Sequence, residues 1–426
     1  MKKIIAAALS LCIFGGALPV LSNYSPDTVM TASAEDNEYT YYEEDYLEYR
    51  VYSDHAELYQ YSILSDNGNI VVPDEVMGVP VTSIASYAFQ GSGPVNSIII
   101  SDNVTTISAS AFSGCEYLAS VKLPNGLTSI PDRAFDGCSS LTNIDIPDSV
   151  TKIGVEAFKS CKSLTDINIP SGVETISYGT FQYCLALESV CLPESVSWID
   201  HDAFNSCTSL ASINIPGSVT VINRETFRGC ESLVSVKLPS GIKQISELAF
   251  YGCSALTRLT LPESVTCIAQ SAFAYCSALE DITILAPECE IYDDASTISN
   301  RYSRTGESVN GASVYKYYFD GIIRGCSDST AKAYAEKYGY TFAAIDGEPV
   351  CGDANSNGTI EMADAVLILQ FQANPDKYGV DGTDEGHITA QGLINADCSG
   401  SEDGVTAKDA LAIQKYLLKS ITLPEE

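Results

Sequence analysis

Basic residues are scarce in this chain of 426 residues. Lysine and arginine together number 23 against 55 aspartates and glutamates, which leaves a formal charge of -32, and they form no dense cluster. Nucleic acids and anionic membranes both require a concentrated basic patch. The charge balance therefore argues against either one as a partner.

Histidine is rarer still, because His55, His201 and His387 are the whole supply. A catalytic cysteine needs a neighbouring base to form the reactive thiolate. The chain has 15 cysteines but few bases to activate them, so cysteine catalysis is disfavoured.

A strict internal repeat is the dominant feature of what the sequence does contain. Between Thr82 and about Glu288 one motif recurs nine times with a period of 23 residues. Isoleucine opens each copy, phenylalanine follows five residues later, and cysteine comes three residues after that in every copy but the first, which has Ser92. Because one such unit cannot bury its own apolar face, the period indicates a solenoid of stacked coils. Segments such as 121–123 and 144–146 alternate apolar and polar residues before a proline, which is typical of a strand with one buried face.

The repeated cysteines predict packing rather than disulfide bonds. Equivalent residues of adjacent coils lie about 5 Å apart with parallel Cβ vectors, whereas a disulfide places its Cβ atoms about 3.8 Å apart and turned toward each other. We therefore expect reduced, buried thiols at Cys115, Cys138, Cys161, Cys184, Cys207, Cys230, Cys253 and Cys276.

The ends of the chain predict an exported, modular protein. Residues 1–34 combine Lys2 and Lys3, an apolar run and a small-residue cleavage site, which is the pattern of a secretory signal peptide, with no membrane span after cleavage. The acidic, tyrosine-rich segment after it predicts paired strands that cap the solenoid, although its tyrosines would also suit a sugar-stacking platform. The predicted domains are 1–34 signal peptide, 35–81 N-terminal cap, 82–288 repeats, 289–346 insertion and C-terminal cap, and 347–426 C-terminal module.

An enzymatic alternative rests on the polar insertion at residues 289–318. Sugar hydrolysis requires two placed carboxylates, and Asp293, Asp294 and Glu307 are available there. No cleft-forming domain surrounds them, so the prediction is a non-catalytic protein. A short helix follows, with Ser327 or Asp328 as its expected N-cap and Gly339 as its end.

Two calcium loops are predicted near the C-terminus, one for each of two calcium ions. Calcium is a hard cation that takes six or more oxygen ligands, and "DANSNGTIEMAD" supplies them from one short loop with Gly358 at the turn. The second loop is one residue longer, so Ser401, Glu402 and Asp403 compete for one of its places. The predicted ligands are Asp353, Asn355, Asn357, the Thr359 carbonyl, Glu361 and Asp364 in the first loop, and Asp397, Ser399, Ser401, Asp403 and Asp409 in the second.

Both parts of the chain resemble known families. The repeat "LTNIDIPDSVTKIGVEAFKSCKSL" resembles the BspA-like bacterial leucine-rich repeat, which implies an α/β solenoid with one parallel sheet and an interior filled by the phenylalanine and cysteine ladders. The pair "GDANSNGTIEMADAVLILQ" and "DGVTAKDALAIQKYLL" resembles a dockerin, a small all-α module with two loop-helix motifs. This resemblance implies calcium-dependent binding to a cohesin module of a scaffoldin. The implied contact residues are Met362, Ala363, Leu369 and Gln370 in the first copy, and Ala407, Lys408, Gln414 and Lys415 in the second.

The sequence thus predicts a secreted, non-catalytic leucine-rich repeat protein associated with a cellulosome or a cell surface. The exposed strand positions carry no aromatic side chain, so this face suits an unknown protein ligand, or no ligand at all, better than a polysaccharide. An adhesin that binds plant wall or host polymers is the alternative, and a polysaccharide-degrading enzyme is less favoured. The two loop-helix copies differ at every implied contact residue, so we expect a single mode of cohesin binding.

Overall fold

The computed structural model describes residues 30–32, 39–62, 68–309, 312–345, 354–355, 360–379, 387–388, 392, 396 and 405–418. The chain divides into two compact units, residues 1–187 and 188–426, which are described separately below. Most of the predicted signal peptide lies outside the described residues. No helix in the described ranges is both long and apolar enough to span a membrane.

An antiparallel sheet opens the first unit. Its strands are β1 (Met30–Ala32), β2 (Tyr39–Glu44), β3 (Leu47–Val51) and β4 (Ala56–Tyr61), and each pairs with the next. The prediction of paired strands is confirmed here, because the side chains of β3 alternate between buried and half-buried as the sequence does. Strand β4 then pairs in parallel with the first strand of the coils, and the Tyr61 ring stacks 5.6 Å from that of Phe89.

The coils of the first unit form two tracks of short parallel strands rather than the one sheet implied by the family resemblance. In the first track β5, β8 and β10 pair side by side, and the degenerate copy before Ile84 supplies β5. In the second track β7 pairs with β9, β11 pairs with β12, and β12 pairs with β14. The second track exists because the chain extends again after each proline turn, where an isoleucine points inward. The strands are β5 (Asn69–Val72), β6 (Glu75–Val76), β7 (Val79–Ile84), β8 (Ser97–Ile100), β9 (Thr106–Ile107), β10 (Ser120–Lys122), β11 (Ser129–Ile130), β12 (Lys152–Ile153), β13 (Asp166–Asn168) and β14 (Thr175–Ile176).

The second unit repeats this arrangement. In its first track β15 pairs with β17, and β20 pairs in parallel with β22, followed by β26 and β27. In its second track β18, β19, β21 and β23 pair in parallel. The strands are β15 (Ser189–Cys191), β16 (Trp198–Ile199), β17 (Ser212–Ile213), β18 (Val221–Ile222), β19 (Gln244–Ile245), β20 (Arg258–Leu261), β21 (Cys267–Ile268), β22 (Asp281–Ile284), β23 (Glu290–Ile291), β24 (Arg301–Val309), β25 (Ala312–Tyr318), β26 (Ile322–Gly325) and β27 (Thr341–Ala344).

The repeats are not α/β in the way we predicted, because no residue from 82 to 288 is helical. Turns occupy the side of each coil opposite the strands. Two backbone positions per coil are left-handed, four residues apart, as at Arg133 (φ 54°) and Gly137 (φ 76°). Left-handed residues interrupt the right-handed hydrogen-bonding pattern of an α-helix. The sequence motif therefore specifies tight turns where other leucine-rich repeats could place helices.

Phenylalanine and cysteine ladders fill the interior of both units. Stacked rings lie 5.2 to 5.8 Å apart from Phe89 to Phe181, and 5.4 to 5.7 Å apart from Phe204 to Phe273. Each of seven ladder thiols donates a hydrogen bond of 3.0 to 3.3 Å to a phenylalanine carbonyl 26 residues earlier, as Cys253 does to Phe227. These thiols are in no disulfide, as predicted. Burial raises the pKa of Cys184 and of Cys276 to about 12, which keeps both thiols neutral.

The coil path continues beyond residue 288, because β23 pairs with β21 and Ile298 forms a bridge with Phe273. The hairpin of β24 and β25 then departs from the repeat pattern. Helix α1 (Thr330–Tyr338) follows; its N-cap is Ser329 rather than the predicted Ser327 or Asp328, because the Ser329 hydroxyl accepts from the Lys332 amide. Gly339 ends the helix in the left-handed conformation, as expected. Among the described residues that follow, three helices have defined bounds: α2 (Met362–Ala373), α3 (Pro375–Tyr378) and α4 (Ala407–Leu417).

Candidate functional site

Helices α2 and α4 form the candidate site, and they bury the same positions of their two sequence copies. Each buried residue of α2 has a buried counterpart 45 residues later in α4, in the pairs Asp364 and Asp409, Ala365 and Ala410, Leu367 and Ala412, and Ile368 and Ile413. The apolar members pack together with Ala354, Ile388 and Ala396 in one small core. The Gln372 side chain donates to the Val405 carbonyl and so joins the end of α2 to the start of α4. Two divergent sequences thus fold into equivalent, mutually packed halves.

Each helix is opened by a buried carboxylate that accepts backbone hydrogen bonds. Asp364 accepts from the Asn355 amide at 2.9 Å and the Glu361 amide at 2.7 Å, one on each oxygen. Asp409 accepts from the Thr406 amide at 2.7 Å and from the Thr406 hydroxyl at 3.1 Å. A capping interaction of this kind fixes the first turn of a helix and the chain entering it. Both aspartates are fully buried, and a buried charge is costly unless it is hydrogen-bonded and paired or bound to a metal.

The first predicted calcium loop is described at three of its ligand positions, and the structure brings these together. The Asn355 side chain donates to Glu361 at 3.4 Å, and the Asn355 backbone is bonded to Asp364. Oxygen-bearing side chains converging on one short loop fit a hard cation such as calcium. Of the predicted ligands of the second loop, only Asp409 is described. The remaining predicted ligands, Asp353, Asn357, Thr359, Asp397, Ser399, Ser401 and Asp403, lie outside the described residues.

The outward face of α2 carries an apolar stripe at helical spacing, formed by Met362, Val366 and Leu369. The corresponding stripe on α4 comprises Ala407, Leu411 and Gln414, of which only Leu411 is a large apolar side chain. The sequence prediction missed Val366 and Leu411, whose exposed fractions are 48% and 47%. The signal for them was available, because each lies four residues after the first implied contact residue and outside the buried set. The implied contact residues are all on the surface, where Ala363, Lys408 and Lys415 are exposed and Gln370 and Gln414 are half-buried.

The two stripes differ in charge. No basic residue lies in the last turn of α2, whereas α4 carries Lys415 there and Lys408 in its first turn. A surface complementary to one stripe would therefore not match the other equally well, because unlike charges are required.

The strand faces of the coils are a second candidate surface. The two exposed columns are small or polar, as predicted, and comprise Ser120, Asn143, Asp166, Ser189, Ser212 and Ser235 beside Lys122, Asp145, Asn168, Cys191, Asn214 and Lys237. Some of these groups bind the neighbouring coil, since the Asn214 side chain donates to the Leu192 carbonyl and accepts from its amide, both at 2.8 Å. Such side chains hold the stack together and are not available to a ligand.

Two carboxylates of the enzymatic alternative have structural partners. Asp293 is bonded to Lys337 and to the Tyr338 hydroxyl, and these hydrogen bonds lower its pKa. Asp294 accepts from the Ser296 amide at 2.7 Å within its own turn. The side chain of Glu307 lies outside the described residues. Asp293 therefore stabilises the join between the last coil and α1, and Asp294 stabilises its own turn.

Comparison with known proteins gives one family match to the repeats and, separately, shorter matches to other proteins. The family profile described as BspA type leucine rich repeat region matches residues 82–211 and 197–300. A leucine-rich repeat protein from Bacteroides ovatus ATCC 8483 has a similar structure, with a TM-score of 0.53 and 23% identity over 76% of this chain and 77% of that one. At that identity the likeness concerns the fold alone.

Shorter matches link the chain to Ruminococcus flavefaciens. A xylanase/beta-glucanase from that organism is 49% identical over 75 residues, which are 17% of this chain and only 9% of the enzyme's length. A chain in the complex of the R. flavefaciens third ScaB cohesin with a group 1 dockerin is 51% identical over 18% of this chain and 96% of that one. Its TM-score of 0.17 is too low to establish a common fold.

Proposed function

The chain belongs to the BspA-type leucine-rich repeat family, and from that premise we propose that it is an exported, non-catalytic protein that docks onto a partner through its C-terminal helices. The docking module is a dockerin. It binds a cohesin module of a scaffoldin, and two calcium ions hold it in shape. The protein is then extracellular and associated with a cellulosome or a cell surface.

The observation that carries this proposal is the matched burial of α2 and α4. Both copies turn the same four positions inward and open with a fully buried aspartate. Both also expose an apolar residue at the centre of the outward face, Val366 in one and Leu411 in the other. An exposed apolar stripe on a helix is costly in water and is typical of a protein contact surface.

Calcium, when bound, would supply positive charge to the loops and so offset their carboxylates. Asn355, Glu361 and Asp364 would hold it in the first loop, and Asp409 would contribute to the second. Asp364 and Asp409 meanwhile fix the first turn of each helix through their backbone hydrogen bonds. Ordered helices then present their stripes at fixed positions, which reduces the entropy lost on binding.

The repeats would serve as the displayed part of the protein. The two exposed strand columns between residues 120 and 237 suit a protein or surface ligand, because they are small or polar and lack aromatic rings. The 75-residue identity with a much longer xylanase/beta-glucanase supports a modular arrangement, in which one short module is attached to unrelated proteins. Such a module would bring this repeat protein into the same assemblies as polysaccharide-degrading enzymes.

A cohesin-binding assay on the whole chain tests the proposal. The double variant Val366→Asp, Leu411→Asp places a charge in both stripes, and binding to an immobilised cohesin should fall by about thirtyfold or more, since a desolvated apolar anchor contributes at least about 2 kcal/mol. The matched control is Val155→Asp, Val234→Asp, which alters two exposed valines of the coils and should leave binding unchanged. Unchanged cohesin binding in the stripe variant would refute docking through these helices.

A further inference from the structure

A continuous tyrosine strip lies on the second unit, outside both candidate surfaces described above. The Tyr251 and Tyr275 rings, from two successive coils, lie 4.9 Å apart, and Tyr275 is 4.7 Å from Tyr302 of the hairpin. Tyr302 in turn lies 5.7 Å from Tyr315 on the opposite strand. Tyr317 completes the strip, with its ring 5.9 Å and its hydroxyl 3.3 Å from those of Tyr275.

The hairpin is built so that these rings share one face. Strand pairing places Tyr302 opposite Tyr317 and Arg304 opposite Tyr315, and directly opposed residues lie on the same side of a sheet. Arg301, Ser303 and Lys316 belong to the other face, where both cations lie over the Tyr318 ring. The rings of Tyr302 and Tyr315 remain 49% and 43% exposed, so the strip is not merely an internal core for the hairpin.

An exposed cation lies at the hairpin end of the strip, because Arg304 is exposed and lies directly opposite Tyr315. At the other end, the Arg228 guanidinium lies 5.2 Å from the centre of the Tyr251 ring, but it already pairs with Glu225 at 2.7 Å. Cations are few in a chain with a formal charge of -32, so the exposed Arg304 at the end of an aromatic strip favours a ligand that carries a carboxylate. Arginine in particular binds carboxylates through paired hydrogen bonds.

The size and shape of the strip favour a slender ligand over a folded protein. A stable protein interface buries about 800 Å² on each partner, whereas five half-exposed tyrosines offer only a few hundred Å², since a fully buried ring accounts for about 150 to 250 Å². The ring contacts also follow a path from one coil to the next and then onto the hairpin. Tyrosine offers an apolar ring face and a hydrogen-bonding hydroxyl, which match the two faces of a sugar ring and its hydroxyl groups.

We propose that this strip binds a linear polysaccharide that carries uronic acid carboxylates. The tyrosines contact the sugar rings, and Arg304 pairs with a carboxylate of the polysaccharide. The site is independent of cohesin docking, because it shares no residue with α2 or α4.

Affinity electrophoresis of the whole chain tests the assignment, with polygalacturonate or glucuronoxylan in the gel and neutral xylan or polyglutamate as comparison polymers. Polygalacturonate or glucuronoxylan should retard the chain, and retardation should weaken as salt is raised, because exposed ion pairs are screened. The variant Tyr302→Ala, Tyr315→Ala and the variant Arg304→Gln should each weaken binding by about tenfold, which is about 1.4 kcal/mol. Tyr292→Ala, an equally exposed tyrosine outside the strip, is the control and should bind as the unaltered chain does.

Each contrary outcome is distinct. Equal retardation by polyglutamate would show that charge alone is recognised, and equal retardation by neutral xylan would show that carboxylates are not; either result overturns the proposal. Retardation that survives both the tyrosine and the arginine changes would place the site elsewhere. Cohesin binding measured on the same variants should be unaltered, which confirms folding and separates this result from the docking proposal.

Discussion

The coils and the C-terminal helix pair both bury short repeated sequences, but the groups repeated in their interiors differ in charge. In the coils the repeated interior groups are neutral, since phenylalanine rings stack and thiols donate to carbonyls. In the helix pair the repeated interior includes a carboxylate in each copy, Asp364 and Asp409. The coils can therefore persist without a ligand, whereas the helix pair is expected to depend on a cation. This difference suits a permanent scaffold joined to a module that assembles only where calcium is present.

Alkaline pH should separate the two regions most strongly. The buried thiols of Cys184 and Cys276 have their pKa raised from 9.0 to about 12. A raised folded-state pKa contributes stability that is complete below pH 9 and is lost as pH rises toward 12, because the unfolded thiols ionise first. Each such thiol costs about 1.4 kcal/mol per pH unit in this window. Unfolding of the coils should follow, and hydrogen exchange with peptide mapping would show it.

The helix pair has no buried cysteine among its described residues and should keep its exchange protection over the same pH range while calcium is present. Equal loss of protection in both regions would mean that the thiol ladder does not set the alkaline limit.

Removal of one ring from the ladder should have the next largest effect. Phe250 is fully buried between Phe227 and Phe273, at 5.4 and 5.5 Å. Phe250→Ala should lower the free energy of unfolding of the coils by about 3 to 5 kcal/mol through lost burial and a cavity. Chemical denaturation measures this loss, with Tyr292→Ala as an exposed control. A change below 1 kcal/mol would contradict a tightly packed ladder, and cohesin binding should be unaffected in both variants.

The same contrast explains what the sequence could predict. In the coils nine copies report one environment, so the period, the inward phenylalanine and the reduced thiols could all be read from residues alone. The second strand track could not be predicted from the sequence, because Thr106–Ile107 and its equivalents are only two residues long and show no alternation of apolar and polar residues. The absence of helices from the coils could not be predicted either. Glycine is the usual sign of a left-handed position, and only some of these positions, such as Gly137, have it.

At the candidate site the predicted contact residues came from resemblance and do lie on the surface, but the centre of each stripe was missed. Val366 and Leu411 look like core residues in a sequence, because apolar residues in an amphipathic helix usually face inward. Only the packing of α2 against α4 shows which apolar positions remain outside. The calcium ligands stay a prediction.

Charge reversal would sharpen the difference between the two helix stripes. If α4 makes the contact, Lys408→Glu with Lys415→Glu should weaken cohesin binding by about tenfold, or 1.4 kcal/mol, chiefly by slowing association at low salt. Substitution of Met362 and Ala363 should then have little effect. Surface plasmon resonance with each variant distinguishes contact through α4 from contact through α2. Loss of binding only when both helices are altered together would show two docking modes and disprove the single mode predicted here.

An effect of similar size to that of charge reversal is expected in the turns of the coils. Gly137 and Ser160 occupy the same left-handed position in successive coils, with φ of 76° and 58°. Gly137→Ala should cost about 1 to 2 kcal/mol, because a Cβ is disfavoured in that conformation. Ser160→Ala should cost almost nothing, since the position already holds a Cβ. Thermal unfolding of both variants measures the difference, and equal midpoints would mean that the turns relax in place of storing strain.

Calorimetric titration of the whole chain with a cohesin, once in calcium and once in chelator, tests the central claim most directly. The account predicts tight binding in calcium and none in chelator, together with loss of exchange protection in α2 and α4 while the coils keep theirs. Binding of equal strength in chelator, with both helices still protected, would contradict it.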